Sequence, residues 1–222
     1  MNILLLPGMD GTGKLFKPFV EMAPSGFEVR TVTLIQEIGV SFHEQAQVIQ
    51  EQINEPSIII AESYSGSIAL ELIKLVPEKI LHIYFVASFI SSPSRLSRFG
   101  FILPEKLLSA ISPKNPILLK YLFGRFLNSE IKEIFTQAIE SVDPEVLKFR
   151  LTQISKLKSE NSQYSVPATY LVATQDNLVD RKVIDVFKNC FPQLTVVSIE
   201  GTHFLLQTNP QSCWEAIQSH TL

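Results

Sequence analysis

The sequence predicts an α/β protein: a parallel sheet flanked by helices, with one helical insertion. Three observations predict it. Short aliphatic and β-branched runs recur at Asn2–Leu6, Phe27–Leu34, Ser57–Ile60, Ile80–Ala87, Val166–Ala173 and Thr195–Ile199. Segments of helical periodicity separate most of them, and strands alternating with helices call for right-handed crossovers and parallel pairing. The alternation fails once, between Ser88 and Ser165, where Pro93, Pro104, Pro113, Pro116 and Pro144 punctuate several amphipathic stretches.

Taken in order, Asn2–Leu6 ends in four aliphatic residues, the pattern of a central strand buried on both faces. It runs into Pro7-Gly8-Met9-Asp10-Gly11-Thr12-Gly13, whose glycines mark unusual backbone angles and open amides. A helix follows from Lys14 to about Met22. Phe27–Leu34 is rich in β-branched residues and is the second strand. Ala46, Ile49 and Ile53 give His43–Ile53 one apolar helical face. Ser57–Ile60 is a short buried strand, and Ile68, Ala69, Leu72, Ile73 and Val76 give the next helix its spacing. Ile80–Ala87 is a further buried strand. Within the insertion, Leu107–Ile111, Ile117–Leu127, Ile131–Ile139 and Val146–Leu157 have helical patterning. After it come the strand Val166–Ala173, the loop Thr174-Gln175-Asp176-Asn177, the helix Arg181–Cys190 and the strand Thr195–Ile199. The loop Glu200-Gly201-Thr202-His203-Phe204 then leads to a final helix, Pro210–Gln218.

A chain of 222 residues, 45% hydrophobic and 18% charged, suits one α/β domain with a large core. No apolar run has the length of a membrane span, and the N-terminus lacks the basic region and the length of a signal peptide. Cys190 and Cys213 lack metal-ligand spacing and are expected as free thiols in a reducing cytoplasm. The net charge of −3 argues against nucleic acid as the main partner. That charge is uneven. Arg95, Arg98, Lys106, Lys114, Lys120 and Arg125 face only Glu105 between Ser91 and Phe126, so this segment is +5 and the remainder −8.

The chain is organised around Ser57–Gly66. Here a strand, a sharp turn at Ser63 and a helix enclose the pattern small-x-Ser-x-small, Ala61 to Ser65. This is the layout of a nucleophile elbow, in which a crowded turn lifts the serine hydroxyl above the sheet and requires small neighbours two residues away. Taken alone, Ser63 also fits a helix cap. Ser65 has small neighbours too, but lies two residues farther into the helix.

With its elbow, the chain resembles the α/β-hydrolases, from whose G-x-S-x-G it departs mildly through Ala61 and Ser65. That family presents nucleophile, acid and base in chain order. Ser63, Asp176 and His203 occur in that order, each just after an apparent strand, where ligands bind in open α/β sheets. ATQDNLVD resembles the family's acid loop, and GTHFLLQTNP its histidine loop and following helix. The resemblance implies an α/β-hydrolase fold with a trimmed, wholly parallel sheet, because the chain starts at what is usually the third strand. It implies a core of residues 1–88 and 166–222 and a helical lid at 89–165. It also implies a catalytic triad of Ser63, Asp176 and His203, with an oxyanion hole from the backbone N–H groups of Met9 and Tyr64. Pro7 stands where the family usually has histidine. Asp180 is an alternative acid, better placed to cap the helix beginning near Arg181. His43, His82 and His220 lack the loop context, and Glu62 is expected to shape or charge the site. No dinucleotide or P-loop fingerprint is present, so no cofactor and no metal are expected.

A serine nucleophile implies ester or thioester chemistry on a small acyl ester of short-to-medium length. Phe89, Phe123 and Phe126 are candidates to line an acyl pocket, or to pack the lid on the core. Arg95, Arg98 and Lys106 are candidates to meet an acidic partner such as acyl carrier protein. The resemblance extends to the pimeloyl-acyl-carrier-protein methyl ester esterases of biotin synthesis, which implies a cytoplasmic carboxylesterase. A thioesterase or acyltransferase would use the same triad, and LPGMDGTG also resembles a loop of lipase-like acyltransferases. A non-catalytic hydrolase-fold binding protein is the alternative of another class.

Overall fold

The computed structural model describes residues 1–92, 112–158 and 160–221. Its sheet contains β1 (Asn2–Leu6), β2 (Glu28–Thr31), β3 (Ser57–Glu62), β4 (Ile80–Val86), β5 (Ala168–Ala173) and β6 (Thr195–Ile199). The order is β2-β1-β3-β4-β5-β6, and all of these pairings are parallel. The chain steps outward from β1 to β2 and then returns to the other side of β1 with β3. The strand order therefore reverses between β1 and β3, and ligands bind outside the carboxyl ends at such a reversal.

Buried aliphatics alternate along the central strands, as the two-residue period requires. Leu4, Leu6, Ile59, Ala61, Ile83, Phe85, Tyr170 and Val172 face one helical layer. That layer is α2 (Phe42–Gln50), α3 (Ser65–Leu75) and, after the insertion, the helix Val183–Cys190. Ile3, Leu5, Ile58, Ile60, Tyr84, Val86, Leu171 and Ala173 face the other layer, which holds α1 (Lys17–Glu21) and the C-terminal helices. Ser41 and Glu44 form a capping box that starts α2.

The insertion contributes α4 (Pro116–Phe123), α5 (Ser129–Glu140) and α6 (Pro144–Ser155). Asn115, Asn128 and Asp143 cap them by accepting first-turn N–H groups, and prolines begin α4 and α6. Leu119, Leu122 and Phe123 pack on Ile131, Phe135 and Ala138 in a cluster of their own, whereas Ile154 of α6 joins the sheet core. The chain then continues as β5, α7 (Val183–Cys190), β6, α8 (Leu205–Thr208) and α9 (Pro210–Thr221). The helix expected at Leu107–Ile111 lies outside the described residues.

Several boundaries differ from the sequence reading. Pro18 sits in the first turn of α1, so the helix expected from Lys14 divides into a 3-10 turn, Lys14–Phe16, and α1. β2 ends at Thr31: the Val32 N–H still donates to the Leu5 carbonyl of β1, but the Leu34 N–H turns away to the Gly11 carbonyl. β5 starts at Ala168, because Pro167 has no N–H for the ladder and contributes only its carbonyl, to Ile83. α8 was not expected at all. Cys190 and Cys213 are buried free thiols, and among the described residues no helix is long and apolar enough to cross a membrane.

Trp214 fastens α9 beneath the sheet. Its ring stacks on Phe19 at 4.3 Å, and its indole N–H donates to the Phe19 carbonyl at 2.9 Å. Trp214→Ala is expected to destabilise the fold by about 3–5 kcal/mol, read by urea denaturation. A loss below about 1 kcal/mol would contradict the packing described.

Candidate active site

β3 brings Ser63 to the carboxyl edge of the sheet beside β1. Its N–H donates to the Val86 carbonyl at 3.0 Å, and its φ of 51° lies in the left-handed region. A non-glycine residue held there costs about 1–3 kcal/mol and persists only where its surroundings over-determine it. They do so here. The Ser88 hydroxyl donates to the Ser63 carbonyl at 2.6 Å, and the Gly66 N–H reaches the same oxygen at 3.2 Å. A Cβ on Gly66 would lie 2.7 Å from the Phe89 carbonyl, so α3 can start this close only with glycine. Ser65, the rival serine, is fully buried and donates to the Pro7 carbonyl.

His203 follows β6 and Asp176 follows β5. Histidine Nε2 lies 2.8 Å from Ser63 Oγ, and Nδ1 lies 2.9 Å from Asp176 Oδ2. The other carboxylate oxygen accepts from the N–H groups of Leu178 (2.7 Å) and Val179 (2.9 Å). With Asp176 accepting, Nδ1 carries the proton and Nε2 is the acceptor for the serine hydroxyl. Burial raises the Asp176 carboxyl, but the His203 charge and these hydrogen bonds outweigh it and hold it below the usual value. Burial likewise opposes the charged imidazole, yet the Asp176 carboxylate, with Glu62 behind it, raises His203 above its ordinary value. Asp180 accepts from the Lys182 N–H at 3.0 Å, a local turn just before α7. The other histidines lie elsewhere. His43 contacts Glu71, His220 contacts the Ala216 carbonyl, and His82 contacts Thr169 on the neighbouring strand, where burial pushes it down to about 4.

The loop after β1 lies against the elbow. A Cβ on Gly8 would be 3.8 Å from Ser63 Cβ and 3.6 Å from Glu62 Oε2. Gly11 turns it with a φ of 68°, and Asp10 accepts from the Thr12 N–H at 2.9 Å and the Thr12 hydroxyl at 2.5 Å. Among the described residues the N–H groups of Met9 and Tyr64 donate to no protein group. Sequence reasoning missed what holds this loop. Arg150 of α6, only 2% exposed, donates to the carbonyls of Met9 (2.8 Å), Asp10 (3.0 Å) and Ile35 (2.9 Å). One signal was present: Arg150 falls four residues after Val146 and four before Ile154, on the apolar face of its helix.

The remaining candidates are dispersed. Phe89 is buried in the sheet core. Phe123 is buried against Phe135 (5.3 Å) and Phe204 (4.6 Å), and the latter meets His203 edge-on at 5.4 Å. Phe126 is half-buried beneath the Arg125 guanidinium. Arg95, Arg98 and Lys106 lie outside the described residues. Among the described residues no group of three His, Cys, Asp or Glu is arranged to hold a metal.

Glu62 is buried next to Ser63 and accepts from Gln207 at 3.3 Å. Burial pushes its carboxyl up to about 7. The Gln207 hydrogen bond and the His203 charge oppose that rise, and the Asp10 charge adds to it. The folded state therefore holds this proton more tightly than the unfolded chain, and its contribution to stability is lost as pH rises from about 4.5 to about 7. Glu62→Gln should be the more stable protein at pH 8, by up to roughly 3 kcal/mol, and nearly equal to wild type at pH 4.5. Denaturation at both pH values reads this, and an equal difference at both would contradict it.

No family model matches the chain. It is 26% identical over 207 residues to Methylesterase 8 of Arabidopsis thaliana, across 86% of this chain and 74% of that protein. Its structure is similar to the enol-lactonase from Burkholderia xenovorans LB400, with a TM-score of 0.81 at 12% identity over 98% of this chain and 90% of the other. An esterase from Exiguobacterium antarcticum gives 0.79 at 11% identity, covering 100% and 91%. A thermophilic esterase from Thermogutta terrifontis gives 0.74 at 16% identity, covering 99% and 88%. The chain has the α/β-hydrolase fold, built on six parallel strands among the described residues.

Proposed function

We propose that this chain is a serine-dependent carboxylesterase that cleaves small acyl esters through an acyl-serine intermediate. The observation that carries the reading is the continuous line from Ser63 Oγ through both ring nitrogens of His203 to the Asp176 carboxylate. In this reading His203 takes the proton from Ser63 as the hydroxyl attacks the ester carbonyl. Asp176 keeps the ring in the required tautomer and stabilises the imidazolium. The Met9 and Tyr64 N–H groups receive the oxyanion, each worth about 2.7–4 kcal/mol of transition-state stabilisation. His203 then protonates the departing alcohol, and water activated by the same ring releases the acid.

The relative named a methylesterase supports a methyl ester as the bond cut. The finer reading, the methyl ester of pimeloyl-acyl carrier protein, rests on the basic excess near Arg95, Arg98 and Lys106. Of the basic residues described beyond them, Lys114 and Arg125 are already paired with Glu140 and Glu200. A thioesterase or acyltransferase would share every step up to the acyl-serine and differ only in the leaving or accepting group.

Hydrolysis of p-nitrophenyl esters from acetate to laurate tests the reading. Wild type is expected to turn over the shorter members, and Ser63→Ala to lose activity on the order of 10⁶-fold. The same acid supplied as a free and as a carrier-bound methyl ester then separates the two substrate readings. Activity that survives in Ser63→Ala would sink the serine mechanism.

A further inference from the structure

The loop carrying the Met9 amide has anchors on both sides. On one side its Pro7 carbonyl accepts from the Ser65 hydroxyl of α3. On the other, the carbonyls of Met9 and Asp10 both accept from Nη1 of Arg150, while Nη2 reaches the Ile35 carbonyl. Between those anchors hangs the Gly8–Met9 peptide, which includes a glycine that would otherwise leave it loose. One helical turn beyond Arg150, Gln153 accepts from the Tyr64 hydroxyl at 2.6 Å and donates to the Val40 carbonyl at 2.9 Å. The Arg150 guanidinium also lies 5.7 Å from the Tyr64 ring centre. A single turn of α6 thus grips both Met9 and Tyr64, the residues whose N–H groups the hydrolase reading assigns to the oxyanion.

We propose that Arg150 and Gln153 are positioning residues, and that α6 sets the geometry of the oxyanion site by fixing Met9 through its carbonyl and Tyr64 through its side chain. This rests on the hydrolase reading above. α6, within the inserted segment, is then part of the catalytic frame. A planar guanidinium suits the task, because its fork spans carbonyls from two loops at once. An ammonium in its place keeps the charge and loses the span. A bulk stabilising role for Arg150 makes a different forecast: fewer folded molecules, each with normal chemistry.

The test compares wild type, Arg150→Lys, Arg150→Met and Gln153→Leu. Each is assayed on p-nitrophenyl butyrate and for inhibition by an alkyl trifluoromethyl ketone, whose adduct carries an oxyanion, with the folded fraction measured by circular dichroism. Arg150→Met is expected to lower kcat per folded molecule by about 10²-fold, with KM within about threefold. Ketone affinity should weaken by the same factor as kcat. Arg150→Lys should fall between, and Gln153→Leu should lose about tenfold, less than a whole donor is worth. If Arg150→Met does not fold, Arg150→Lys and Gln153→Leu carry the same comparison. Unchanged kcat per folded molecule, a rise confined to KM, or undiminished ketone affinity overturns the positioning role. A wild type that turns over no ester and is not inhibited overturns the hydrolase reading and this proposal together.

Discussion

The left-handed backbone at Ser63 is the constraint on which the other features depend. β3 has to pass into α3 within two residues, and the serine between them adopts a conformation that its own side chain disfavours. Such a turn survives only if the surrounding groups leave it no alternative. The parallel ladder ties its N–H to β4, the Ser88 hydroxyl and the Gly66 N–H converge on its carbonyl, and Ala61 and Gly66 leave room for the approach. The result is a hydroxyl that projects toward the carboxyl ends of β5 and β6, where Asp176 and His203 stand. The loop after β1 closes the same point from the other side.

The site concentrates buried charge, and the arrangement decides which charges survive. Asp176 keeps its charge because His203 and two backbone amides face it. Burial lowers Arg150 from its ordinary value, Tyr64 and Asp10 oppose that shift, and its guanidinium donates to three carbonyls. Glu62 has weaker compensation, and so its carboxyl sits near neutrality. An ionised Glu62 supports a protonated His203, so two neighbouring groups on opposite sides of the elbow titrate in a linked way. Buried pairs of this kind are weak evidence of stability, and what they contribute is a defined orientation of the groups involved.

Much of this was legible in the sequence because it is local. The aliphatic run at Ser57–Ile60, the small residues around Ser63, and the loops carrying Asp176 and His203 are each written within a few residues. Parallel order then brings three strand ends to one edge. Features that depend on tertiary contact were not legible. β2 ends early because the chain leaves β1 after Val32 and Leu34 finds its partner, the Gly11 carbonyl, in the loop after β1, and α8 is a single turn whose two leucines are buried only once the sheet exists. Arg150 acts across 140 residues of sequence. Its mark in the sequence was a charge on an apolar face, which signals a buried partner without naming it. Likewise, no pattern separates Phe123 packing on Phe204 from Phe123 facing a substrate.

In the proposed mechanism Ser63 carries the acyl group between two half-reactions. Mixing the protein with excess p-nitrophenyl butyrate, quenching in acid within the first turnovers and mapping peptides by mass spectrometry tests this most directly. A butyryl mass is expected on the peptide containing Ser63, fragmenting to Ser63 itself, and none in His203→Ala. An adduct on Ser65, or hydrolysis with no acylated peptide at any quench time, would contradict it.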